Sequence, residues 1–131
     1  MNNIILRIFA LNLKTLIIKI YRIMKNRAQE YAYKEVKNCF PTLHGNSFQL
    51  INLIIESAYI QGDEFQCLKN IGENSEKYAN NTVADKFEKY PTDTKRLLHL
   101  LIQHAFIQAC EDNGKDVTIE KIEITSQLCQ L

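Results

Sequence analysis

The residues in this chain with the means to make or break bonds are three histidines, four cysteines and a scatter of carboxylates. His99 and His104 are five apart, about 140° around a helix, so they cannot chelate one ion as an i, i+4 pair does. His104, Gln108 and Glu111 share one stripe, which reads as a polar seam on an apolar helix. His44 stands beside Gly45, in the company of a turn. The sequence holds no HExxH, no ExxH, no Cys/His knuckle and no Asp-rich calcium loop. Cys39, Cys67, Cys110 and Cys129 are widely spaced, and three of them fall on apolar faces, which predicts inert thiols. Cys129, near the terminus, is the most reactive candidate. GxSxG, Walker A and GxGxxG patterns are absent. The acid pairs Glu73/Glu76 and Glu111/Asp112 sit at helix ends or in polar runs, where hydration and the helix dipole account for them. The reading is a non-enzyme with no catalytic residue, no metal site and no cofactor.

The elements that position these side chains are helices. The 131 residues include only two prolines and four glycines, which favours long helices over many short strands. With 46% hydrophobic and 24% charged residues, the composition is that of one globular domain. Asn26 and Gln29 form an N-cap and N3 pair opening a helix over about 27–39, stopped by Pro41. A second helix over about 47–70, capped by Asn46 or Ser47, has the clearest amphipathic pattern: Leu50, Ile51, Ile54, Ile55, Ala58, Gly62 and Phe65 share a side. Ala58 and Gly62 let a neighbouring helix approach closely, with a break at Gly62 as an alternative and Gly72 as the terminator. A short helix about 75–80 follows, then another at about 82–90 opened by the capping box Thr82–Asp85. Thr92, Asp93 or Thr94 caps a long helix to Asp112, ended by Asn113-Gly114. Its apolar face extends nearly all round, marking the central helix or one buried in an oligomer. The β-branched tail 117–131 reads as a strand rather than a last helix. The expected fold is all-α, an antiparallel bundle of four to five helices with a short extended or helical C-terminal tail. Its expected core is Ala32, Val36, Phe40, Leu50, Ile51, Ile54, Ile55, Ala58, Phe65, Phe87, Leu98, Leu101, Ile102, Ala105 and Ala109.

Charge divides the chain in two. Residues 1–29 carry six basic side chains (Arg7, Lys14, Lys19, Arg22, Lys25, Arg27) and no acid, whereas the remainder is net −5. Three charged or polar interruptions, Asn12, Lys14 and Lys19, rule the leader 1–23 out as a transmembrane span, and no cleavage site suits a signal peptide. Three readings stay open: translated upstream sequence with Met24 as the true start, a helix packed on the body, and a basic amphipathic helix on anionic lipid or a partner. The body 24–131 is then a single helical domain. With no secretory signal and unpaired cysteines, a reduced, cytoplasmic setting is expected.

Two fragments, RAQEYA at 27–32 and AYIQGDEFQ at 58–66, resemble segments of small uncharacterised phage and prophage accessory proteins. Those proteins share an A-x-E-Y-A helix and an A-[FY]-x-x-G-x-E-[WF]-Q helix. The matching positions are Ala28, Glu30, Tyr31 and Ala32, then Ala58, Tyr59, Gly62, Glu64, Phe65 and Gln66. The resemblance implies a mobile-element setting, an antiparallel helix pair and a start just before the first fragment. It implies no activity.

A binding face is expected from tyrosines and acids: Tyr31, Tyr59, Tyr78 and Tyr90 near Glu30, Glu56, Asp63 and Glu88. Tyrosine brings large contact area at low entropy cost. These residues suit a protein partner, as for an inhibitor, immunity protein or adaptor. The alternative is a helix-turn-helix in 75–104, with Lys95 and Arg96 in the first turn of a recognition helix and Thr92 and Thr94 on phosphates. The acidic body and the apolar 97–107 stretch count against nucleic acid. Membrane contact is expected only through 1–23, and a homo-oligomer is compatible with the apolar long helix.

Overall fold

A computed structural model describes residues 2–65 and 69–131 as five α-helices: α1 (Asn2–Cys39), α2 (Gly45–Asp63), α3 (Ile71–Lys86), α4 (Thr92–Asp112) and α5 (Thr118–Cys129). No strand occurs among the described residues. The fold is the all-α bundle that the periodicity predicts.

The core is built on α4. Leu98, Leu101, Ile102, Ala105 and Ala109 face a cluster with Ala28, Ala32 and Val36 of α1 and Ile51, Ile55, Ala58 and Tyr59 of α2. On the other side of α4, Phe106, Ile107 and Cys110 meet Ile71 of α3, then Val117 and Ile124 at α5. Both faces of α4 are therefore covered, which is why its sequence is apolar nearly all round. The closest approach is at Gly62, where a Cβ would lie 2.2 Å from the backbone oxygen of Phe106. α2 ends at Asp63, one residue past Gly62, so the helix stops where the alternative reading put its break, and the small residue also admits the α4 backbone.

Several local expectations are corrected. α1 runs unbroken to Cys39, because nothing between Asn2 and Pro41 breaks a helix, and Asn26 lies within it. Its leader does not pack on the body. From Ile4 to Ile23 every large apolar side chain is at least 44% exposed. Among the described residues no helix is long and apolar enough to cross a membrane. α2 begins at Gly45, whose φ of +71° suits a residue without a Cβ, and it ends at Asp63 instead of about 70. The part of that expectation covering 66–68, with Gln66 and Cys67, lies outside the described residues. Gly72 falls in the first turn of α3 and terminates nothing.

The two short helices expected at 75–80 and 82–90 are one helix. Thr82 sits inside it and donates from its hydroxyl to Tyr78 O (2.8 Å) instead of capping. The C-terminal tail is helical, correcting the preference for a strand. Asp116 Oδ1 accepts from both the Thr118 N–H (3.1 Å) and its hydroxyl (2.8 Å), which orders the first turn of α5. Burial of Ile124 then outweighs β-branched propensity. Leu50, expected in the core, is 39% exposed, while Ile51 beside it takes the inward position.

Candidate functional site

The tyrosines and acids singled out by sequence are not one exposed face. Tyr59 is 2% exposed and Asp63 7%, which corrects both as surface contacts. Asp63 is held where α2 meets the end of α4, with Asn113 Nδ2 donating to its backbone oxygen (2.8 Å) and to its Oδ1. Tyr31 and Tyr59 lie ring to ring, with centroids 5.1 Å apart. The Tyr59 hydroxyl donates to Asp112 Oδ2, and the Tyr31 hydroxyl bonds His104 Nδ1. Gln108 Nε2 donates to the second Asp112 oxygen (3.0 Å).

Burial dominates the electrostatics of this network. It pushes the Tyr31 hydroxyl far above the ordinary range, helped by the Glu35 carboxylate. It raises Tyr59 too, with the Asp112 hydrogen bond adding to the shift. His104 is held below its usual value by burial, against the opposing pull of Glu35. All three groups are thus kept neutral. The network ties α1 and α2 to α4. Chemically it presents closed hydrogen bonds and no activated nucleophile.

The other predicted residues gather at the α3–α4 corner. Tyr78 is half-buried with its ring 6.2 Å from Phe106, and Tyr90 sets an edge against Phe87 at 5.1 Å. Glu88, Thr92, Lys95 and Arg96 line an open cavity of about 700 Å³ with His99 at its far side. Thr94 is half-buried beside them. Lys95 Nζ reaches Glu88 O at 3.5 Å. α3 and α4 follow one another across the turn at 87–91, the order that the alternative helix-turn-helix reading needs, and Arg96 is exposed near the start of α4 while packing against α2, α3 and α5 covers most of its middle.

A second cavity, of about 450 Å³, went unread in the sequence. It is a notch between α3 and α5, floored by α4. Glu73 and Glu76 come from α3, Glu120 and Glu123 from α5, and His99, Gln103 and Ile107 from the floor. Gly72 brings the α3 start against α5, since a Cβ there would lie 3.5 Å from Glu120 Cγ. His99 Nε2 donates to Asn80 Oδ1 (2.8 Å) and divides the notch from the α3–α4 corner cavity. Burial lowers the His99 pKa, with Glu76 opposing. At the floor, Gln103 is only 8% exposed and makes no side-chain hydrogen bond among the described residues. Its amide atoms are not sealed off, so the residual exposure of Gln103 opens into the notch and leaves its donors and acceptor accessible to whatever enters.

The signal that would have found this site is Gln103 within LLHLLIQHAFI, a primary amide in an otherwise inward-facing apolar run. The i, i+3 spacing of Glu73/Glu76 and of Glu120/Glu123, which puts each pair on one helix face, is the second. Among the described residues no three His, Cys, Asp or Glu side chains are placed to hold a metal ion. The notch geometry suits an extended organic cation: carboxylates at the rim for a guanidinium or ammonium, and an amide below for its hydrogen bonds. No protein-family model matches this chain, and neither does any curated protein or solved structure.

Proposed function

We propose that this protein works by binding another protein, without catalysis, and that the notch between α3 and α5 receives a basic segment of that partner. The observation that carries this reading is the rim of four carboxylates, Glu73, Glu76, Glu120 and Glu123, around a notch whose floor presents the accessible Gln103 amide. A lysine or arginine side chain satisfies both levels at once. Its charge meets Glu73, Glu76, Glu120 or Glu123, and its remaining N–H groups meet the Gln103 carbonyl. The small size and the resemblance of 27–32 and 58–66 to phage and prophage proteins fit an accessory role as inhibitor, immunity protein or adaptor of a mobile element.

The test is a titration of the isotope-labelled protein with an arginine-rich peptide, followed by NMR, with a glutamate-rich peptide as control. The Gln103 side-chain amide signals should move with the basic peptide, and salt should weaken the effect. Gln103→Met keeps the volume and the net charge, so it separates a specific notch from general attraction to an acidic surface. If Gln103→Met binds as well as the parent, or if shifts spread evenly over the acidic surface, the proposal fails.

A further inference from the structure

The leader carries a separate property, resting on observations independent of the notch. At about 100° per residue, Ile5, Phe9, Leu13, Leu16, Ile17 and Ile20 fall within one uninterrupted apolar arc of about 160°. Arg7, Lys14, Lys19, Arg22 and Lys25 all lie outside that arc, and no acid occurs before Glu30. The structure makes this stretch helical and leaves it bare.

We propose that residues 4–25 of α1 bind the surface of an anionic lipid bilayer, lying in its headgroup plane and holding the bundle against it. Charge complementarity selects this occupant. Two leaders from separate copies would bring five cations against five, with no acid on either to pair them. A bilayer with acidic headgroups attracts all five at once. The apolar arc cannot be a span, since no described helix is long and apolar enough to cross a membrane. At the root of the leader the bundle end is charge-balanced, with Arg27 and Lys115 against Asp63 and Glu64, so it adds no repulsion.

The experiment is flotation of the full chain with phosphatidylcholine vesicles and with mixed phosphatidylcholine–phosphatidylglycerol vesicles. Binding should appear with the mixed vesicles alone and fall as salt rises. Each basic residue near a charged surface changes partitioning about fivefold, so Arg7→Gln with Lys14→Gln should lose about thirtyfold. Phe9→Glu with Leu13→Glu should abolish flotation. All four side chains stand off the bundle, so unchanged thermal unfolding of α2–α5 verifies that the variants are folded. Equal flotation with neutral vesicles, no flotation with either, or unaltered flotation of the charge variant overturns the proposal. So does a dimer in solution that Phe9→Glu with Leu13→Glu converts to monomer, because the apolar arc would then belong to a second copy.

Discussion

Replacing Gly62 by alanine should loosen the whole bundle, and the structure says by how much. The new Cβ would lie 2.2 Å from Phe106 O and 2.8 Å from the carbonyl carbon and Cα of that residue. Cβ atoms essentially never approach other heavy atoms closer than 3.0 Å, so α2 and α4 must part by most of an ångström. The obstacle is backbone of the most enclosed helix, so no side chain can swing aside to relieve it. Overpacking of this kind costs about 3 kcal/mol at the upper end of its usual range. Alanine recovers at most about 1 kcal/mol of helix propensity over glycine. The net loss is about 2 kcal/mol, which for a chain of this size lowers Tm by about 8 °C. Thermal and urea unfolding followed by circular dichroism measure it directly, with an unchanged urea slope marking a pure stability effect. Gly72→Ala is the matched control. Its Cβ meets Glu120 Cγ at 3.5 Å, an ordinary contact, so the same substitution there should be neutral or stabilising by up to about 1 kcal/mol. If Gly62→Ala matches or exceeds the parent in stability, α2 and α4 do not cross at this point and the close-packed seam is wrong.

Stability should fall with acid through His104. Burial depresses its pKa in the folded chain, so below about pH 6.5 the unfolded state takes up the proton first, and the stability present above that pH is lost as pH falls toward the folded value. His104→Gln should flatten that part of the stability–pH curve, and an unchanged slope would remove His104 from the account. Tyr59→Phe deletes the bond to Asp112 while keeping the ring, and should cost about 1 kcal/mol in urea unfolding. In the parent, ultraviolet titration should show tyrosines that stay protonated while the exposed ones ionise, with Tyr31 and Tyr59 among them.

The sequence made α4 legible from Thr92 to Asp112, because a proline before it and Asn113-Gly114 after it bracket an apolar stretch too long to be a strand. Ile51, Ile55 and Ala58 of α2 were legible for the same reason, but Leu50 is exposed, and Glu56, Tyr59 and Asp63, expected on the outer face, are buried. The α3 boundaries were not. Asn80, Asn81 and Thr82 look like a break until Thr82 is seen folding its hydroxyl back on Tyr78 O. The tail misled because β-branching is a local preference, while the burial of Ile124 against Val117 depends on partners elsewhere in the chain. Tyr59 looked exposed because Tyr carries a hydroxyl; that hydroxyl emerges beside Asp112 while the ring is covered. The notch was hidden for a topological reason. Its acids come from α3 and α5, which meet only because each packs on α4, and no local spacing encodes that meeting.

The enclosure of α4 also sets a timetable for synthesis. α1 packs chiefly on α2, whereas α2 and α3 bury apolar faces against a helix that begins at Thr92 and finishes at Asp112. Until that segment leaves the ribosome, α1 and α2 have each other to close upon, but the α2 and α3 faces that meet α4 have no partner. Helical turns flicker in the nascent chain during this interval, and the seam around Gly62 waits for its other half. Completion of the core is then a late event, reached only when the last third of the chain is available to α2 and α3.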